Sequence, residues 1–156
     1  MAELKDRLRA DLSTAIKSQS TITVATLRMA LSAITTEEVA GAAARELSDK
    51  EVLAVLAREA KKRREAAEVF AAAGRGELAT RERAEGKVLA HYLPAQLGDE
   101  ELAGLVAEAI DEVAGGLGKR PGLGQLGLVM KAAVAKVAGR AEGKRVSAAV
   151  LAALQG

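Results

Sequence analysis

The residues able to do chemistry on their own are few. His91 is the single histidine and there is no cysteine. A thiolate nucleophile, a disulfide and a cysteine metal site are therefore excluded, and nothing with metal-ligand spacing accompanies the histidine. A lone histidine at a helix end reads as a cation at the negative end of the dipole. No Gly-x-x-x-x-Gly-Lys-Ser/Thr loop is present to cradle a phosphate, and no Gly-x-Gly-x-x-Gly lies between a strand and a helix. The carboxylates fall in first helical turns or beside lysine and arginine at helical spacing, as on a solvated surface. The expectation is a chain with no self-contained catalytic centre, no metal and no cofactor.

Positive charge is the remaining chemistry, and it is unevenly distributed. The formal net charge is only +2. From Val113 onward, however, Lys119, Arg120, Lys131, Lys136, Arg140, Lys144 and Arg145 face a single acid, Glu142. Lys119-Arg120 and Lys144-Arg145 lie beside glycines, which let a backbone approach a phosphate while neighbouring cations supply the attraction. These seven residues are the candidate RNA-binding set, the alternative reading being a solubilising surface on a small domain. With one Phe, one Tyr and no Trp, stacking on single-stranded bases is disfavoured, so recognition would be of shape and backbone, as for a folded RNA. A second basic run, Arg58-Glu59-Ala60-Lys61-Lys62-Arg63-Arg64-Glu65, places Arg58, Lys61 and Lys62 on one helix face. It reads either as a secondary phosphate-facing surface or as an outer face laced by pairs such as Glu59–Arg63.

The elements that must position these groups are all helices. Hydrophobic residues make up 49% of the 156-residue chain, much of it alanine. The strong helix formers Ala, Leu, Glu, Lys and Arg dominate, and the aromatic supply of a sheet protein is missing. The fold class expected is all-α: a larger N-terminal bundle of about four helices over residues 1–93 and a smaller C-terminal three-helix domain over 94–156. Leu4, Leu8, Leu12 and Ala15 mark a first helix, and Val24, Leu27, Leu31 and Ile34 a second. Leu47-Ser48-Asp49-Lys50-Glu51-Val52 carries both a capping box and a hydrophobic staple, opening a third helix that stops at Gly74. A fourth ends before Pro94, the candidate hinge. Leu102 through Val113 trace a fifth, and Gly115-Gly116-Leu117-Gly118-Lys119-Arg120-Pro121-Gly122 is expected to lie outside regular helix. Leu126, Val129, Met130, Ala133, Val134 and Val137 define the inner face of a sixth. Gly139 to Lys144 forms a turn, and Val146, Val150 and Leu154 a seventh helix. The charged N-terminus and the absence of a long apolar run point to a cytoplasmic protein without membrane contact.

Taken in order, Thr26-Leu27-Arg28-Met29, Ala33-Ile34, Leu47-Ser48-Asp49-Lys50-Glu51-Val52, Lys61-Lys62-Arg63, Ala73-Gly74-Arg75, Tyr92-Leu93-Pro94, Gly127, Val129-Met130-Lys131 and Gly139-Arg140-Ala141-Glu142-Gly143-Lys144 resemble the signature of the bacterial YqeY-like proteins. These are similar to the C-terminal helical region of the GatB component of the glutamine-dependent aspartyl/glutamyl-tRNA amidotransferase. The resemblance implies two helical subdomains and tRNA as partner, with Lys131, Arg140 and Lys144 in the tRNA-facing motifs. It also implies that the family-level label of carbon–nitrogen ligase with glutamine as amido donor belongs to the larger enzyme, whose reactive sites lie elsewhere. The sequence departs from the pattern at Gln125, where an acid is usual, and at Leu128, where a base is usual. Losing the acid is expected to weaken the cap of the sixth helix. Three roles follow from these readings: a tRNA-binding module, an adaptor docking on an aminoacyl-tRNA synthetase or amidotransferase, and an accessory that raises amide transfer by another enzyme.

Overall fold

The computed structural model describes residues 3–156; Met1 and Ala2, the first two residues of the charged N-terminus, lie outside the described residues. Among the described residues there are seven α-helices and no strand. The chain divides into two compact units, residues 1–93 and 94–156.

In the first unit, α1 (Glu3–Lys17), α2 (Thr21–Glu38), α3 (Asp49–Ala72) and α4 (Gly76–Ala90) pack around Leu8, Leu27, Ile34, Val52, Leu56 and Leu89, each fully buried. The start of α3 is fixed by its own sequence. The Ser48 hydroxyl accepts from the Glu51 N–H at 3.2 Å, and the Glu51 carboxylate accepts from the Ser48 N–H at 2.8 Å. Leu47 and Val52 are both buried on either side of this cap, so the staple closes as well. The helix runs for 24 residues, about 36 Å at 1.5 Å per residue. It ends at Gly74, whose φ of +75° needs no Cβ to be tolerated. Farther along the α3–α4 hairpin the buried residues are Ala67 and Ala79, small enough for the two backbones to approach closely. The C-terminal end of α4 tightens into successive i→i−3 hydrogen bonds, the last from Leu93 to Ala90 at 3.2 Å, as the approach of Pro94 requires.

In the second unit, α5 (Asp99–Leu117), a 3-10 turn (Leu123–Gln125), α6 (Leu126–Val137) and α7 (Gly143–Gln155) enclose a core of Leu102, Val106, Ala109 and Ile110 against Val129, Ala133, Val137, Val146 and Val150. The start of α5 copies the staple of α3: Leu97 and Leu102 are buried around Gly98. The Leu97 N–H is held by the Arg140 carbonyl at 2.8 Å.

Three details differ from the sequence reading. Gly115, Gly116 and Leu117 continue α5 rather than opening a loop, and the stop is Gly118, with φ +72°. A glycine costs a helix about 1 kcal/mol relative to alanine, which raises the energy of a final turn without breaking it; the left-handed Gly118 is what ends α5. Val134 is 53% exposed rather than on the inner face of α6. It follows the buried Ala133 by one residue, a rotation of about 100°. Finally, Gly143 and Lys144 belong to the first turn of α7, with Glu142 extended before it (φ −65°, ψ 149°), so the turn is one residue pair shorter than the glycines imply.

Candidate nucleic-acid interface

The basic run on α3 finds carboxylate partners within the unit. Arg58 reaches Glu37 at 3.3 Å, Lys61 reaches Glu65 at 3.9 Å and Lys62 reaches Glu59 at 3.3 Å. Arg63 turns inward between α3 and α4, with Glu59 at 3.6 Å, Glu85 at 3.3 Å and Glu82 at 3.7 Å. The Glu59–Arg63 pair of the laced outer face forms, while Arg58 and Lys61 are held only by exposed pairs, which a phosphate can displace, and the exposed Lys62 by the more buried Glu59. His91 is exposed at the end of α4, and among the described residues no three His, Cys, Asp or Glu side chains converge as a metal would need.

The seven cations of the second unit separate into two groups. Lys136 meets Glu112 at 3.0 Å, Arg145 meets Asp99 at 2.9 Å, and Arg140 meets Glu101 at 3.9 Å while its Nε donates to the Ala95 carbonyl at 3.4 Å. Arg120 donates to the Ala153 carbonyl at 3.0 Å. Lys119, Lys131 and Lys144 are exposed and, among the described residues, have no ion-pair partner. The acids that engage the first group all lie on α5, which carries Asp99, Glu100, Glu101, Glu108, Asp111 and Glu112. Residues 94–156 therefore hold seven acids and seven bases and are formally neutral. The excess seen from Val113 onward is offset by the helix just before it. Counting charge along the chain could not reveal this, because a helix pairs with whatever packs beside it.

These pairs do not remove the paired cations from use. The carboxylate partners are well exposed, Asp99 at 98% and Glu101 at 66% of the side chain. Exposed pairs of this kind are worth about 0–1 kcal/mol, so a phosphate that releases counterions as it binds can displace them. Lys144 has a further advantage in the first turn of α7, where helix amides lack intrahelical acceptors.

The two departures from the family pattern have distinct outcomes. Gln125 is the N-cap of α6 and makes no side-chain cap hydrogen bond to that helix; its amide oxygen instead accepts from the Gly122 N–H at 2.8 Å, across the 3-10 turn that precedes it. Leu128 is 53% exposed on the outside of α6, an apolar side chain where a phosphate contact would want a base. Pro94 is exposed and is the first residue of the second unit.

The sequence reading missed one concavity. Ile16, Gln19, Thr21, Val24, Ala25 and Arg28 line a shallow cleft of about 370 Å³ between α1 and α2. Arg28 entered that reading only as part of a motif, and its setting depends on which α2 residues pack inward.

Among the described residues no helix is long and apolar enough to cross a membrane. No curated protein matches the chain. The family model described as Yqey-like protein matches residues 5–154, both units together, and the chain belongs to the YqeY-like family.

Proposed function

We propose that this chain is a non-catalytic module that binds tRNA or works beside the enzymes that act on it, with its nucleic-acid face on the second unit. The supporting observation is that Lys119, Lys131 and Lys144 are exposed cations without acid partners among the described residues, flanked by cations held only by exposed pairs. Such a surface offers point charges to a phosphate backbone and no aromatic platform to a base, so it favours a folded RNA read by shape. The association with glutamine-dependent amide transfer is one of partnership, the chain contributing contact to the tRNA rather than a reacting group.

The test is binding of purified tRNA across a salt series. Wild type is compared with Lys119→Glu/Lys131→Glu/Lys144→Glu and with Lys136→Glu/Arg140→Glu/Arg145→Glu. About three phosphates neutralised gives a log–log slope near −2 to −3. The first variant loses binding; the second weakens it less, since its cations must first leave their carboxylates. Equal, weak binding by wild type and both variants overturns the reading.

One observation favours a second reading, an adaptor that docks on an aminoacyl-tRNA synthetase or amidotransferase. Leu128, where a phosphate contact would want a base, leaves an apolar side chain 53% exposed on the outside of α6, which suits a protein contact better than a nucleic-acid one. An adaptor keeps its partner through nuclease treatment and moderate salt, whereas an RNA-bridged complex loses it.

A further inference from the structure

The segment from Leu12 to Thr36 contains no aspartate or glutamate, in a chain that has 21 of them. It covers the later part of α1, the turn and most of α2. Its only charges are Lys17 and Arg28, and neither has an acid partner among the described residues. Elsewhere in the same unit Arg45, Arg58 and Arg63 each meet a carboxylate. The acid-free stretch coincides with the cleft between α1 and α2.

Packing accounts for three of the four residues in Thr26-Leu27-Arg28-Met29. Leu27 is fully buried, Thr26 is 1% exposed with its hydroxyl donating to the Ile22 carbonyl at 2.8 Å, and Met29 packs against the core. Arg28 alone is exposed, and it borders the cleft. Ile16, on the opposite helix, lines the same depression while 48% exposed. Gln19, also on the lining, holds a left-handed backbone with φ +57°, a strained state for a residue with a side chain that recurs at ligand sites.

We infer that this cleft captures the C-terminal residue of a partner polypeptide, its apolar side chain on Ile16, Val24 and Ala25 and its carboxylate on Arg28. Size favours a chain end over a helix, because about 370 Å³ lies at the low end of ligand pockets. A guanidinium matches a carboxylate with two parallel hydrogen bonds, and the acid-free surroundings leave it uncompensated until the ligand arrives. A phosphate backbone would use the charge but gain nothing from the apolar floor, so a peptide end fits both halves of the site. Thr21 and Gln19 supply polar groups for the backbone of the captured residue. The site lies in the first unit and does not depend on the RNA reading.

The experiment follows backbone amide resonances during titration with N-acetyl-leucine, N-acetyl-leucinamide, the internal-acid mimic acetyl-Leu-Glu-amide, and tRNA. N-acetyl-leucine is expected to shift Gln19, Thr21, Val24 and Ala25. N-acetyl-leucinamide, lacking the carboxylate, binds about tenfold more weakly. Arg28→Ala abolishes the difference between the two, and Arg28→Lys restores part of it. Arg28 is exposed, so both variants keep the wild-type melting temperature, which separates loss of the site from loss of the fold. The inference is overturned if the two leucine derivatives bind alike, or if neither shifts these amides at millimolar concentration. Equal binding of acetyl-Leu-Glu-amide also overturns it, in favour of an internal acidic segment. So does displacement of N-acetyl-leucine by tRNA, which would make the cleft part of an RNA surface.

Discussion

The Tyr92 hydroxyl donates to the Asp11 carboxylate across 81 residues of chain, joining α1 to the C-terminal end of α4. Arg7 completes the arrangement: its guanidinium carbon lies 4.8 Å from the centre of the Tyr92 ring and its Nε 3.9 Å from Asp11. Tyr92→Phe keeps the ring and the cation over it but removes a charge-assisted donor. The expected loss is about 1–2 kcal/mol, read as a lower urea midpoint with unchanged slope. Alkaline titration tests the same contact. Burial, and then the donation to Asp11, push the Tyr92 hydroxyl well above its ordinary range. An acid whose folded pKa is raised contributes stability below its unfolded value of about 10, and that contribution is lost as pH climbs past it. Wild type should therefore lose stability above about pH 10 more steeply than Tyr92→Phe; parallel curves would refute the role given to the hydroxyl.

A second prediction concerns Arg63. Its guanidinium stands among Glu59, Glu82 and Glu85, and Glu59 is only 8% exposed. Arg63 Nε and Glu82 Oε2 lie 3.7 Å apart, close enough for attraction and too far for a hydrogen bond, and both atoms are buried without a hydrogen-bond partner in the protein. The arrangement is thus a shared cation among carboxylates rather than a set of ideal pairs. Arg63→Met leaves three acids facing one another and should cost on the order of 3 kcal/mol. Adding Glu82→Gln should recover part of it, a coupling that a double-mutant cycle measures. A single-variant loss below about 1 kcal/mol would mean that solvent already screens the cluster.

How much of this was legible in the sequence depends on whether a feature is local. The Ser48–Glu51 cap, the Leu47–Val52 staple and the stop at Gly74 are set by residues a few positions apart, and they form as the sequence reads. Even Glu59–Arg63 was visible, being one helical turn apart. The partners of Lys136, Arg140 and Arg145 were not, since Glu112, Glu101 and Asp99 lie 24 to 46 residues away on α5 and meet them only after the helices pack. The same limit hid the α1–α2 cleft. Arg28 and Ile16 are ordinary residues in the sequence, and what distinguishes them is which neighbours turned inward. The end of α5 was misplaced for another reason: two exposed glycines are a modest cost spread over a long helix, while the left-handed Gly118 is an actual stop.

Acid titration isolates the cap of α3. Arg45 forks onto Glu51 with both contacts at 3.0 Å, and the Ser48 N–H adds a third bond. The Arg45 hydrogen bonds first, and the Ser48 backbone second, hold the Glu51 carboxyl down at about 2. A carboxylate with a depressed folded pKa contributes stability above its unfolded value of about 4.3, and the contribution disappears as pH falls toward 2. The Glu51 carboxyl carbon should show a midpoint near 2 by NMR, moving toward ordinary values in Arg45→Ala. Ser48→Ala removes the reciprocal half of the cap and should cost about 1 kcal/mol near neutral pH. An unshifted midpoint in Arg45→Ala would show that the fork contributes nothing in solution.

The last prediction rests on the end of α6, where the helix stops on a residue poorly suited to stopping it. Ala138 adopts a left-handed backbone, φ +51°, with its N–H on the Val134 carbonyl at 3.1 Å, and Gly139 follows at φ +78°. For an L-residue with a Cβ that conformation costs about 1–2 kcal/mol, and only glycine adopts it freely. The strain is held because Val137 must stay buried while the Arg140 carbonyl turns to accept the Leu97 N–H at 2.8 Å. Ala138→Gly relieves the strain but gives the unfolded chain more freedom to lose, so the net gain should be about 0.5–1 kcal/mol, visible as a higher melting temperature. Ala138→Val, a β-branched residue in the same conformation, should lose stability by at least as much. If the glycine variant is instead less stable, the backbone in solution is not left-handed there, and α6 runs on into the loop that carries Arg140.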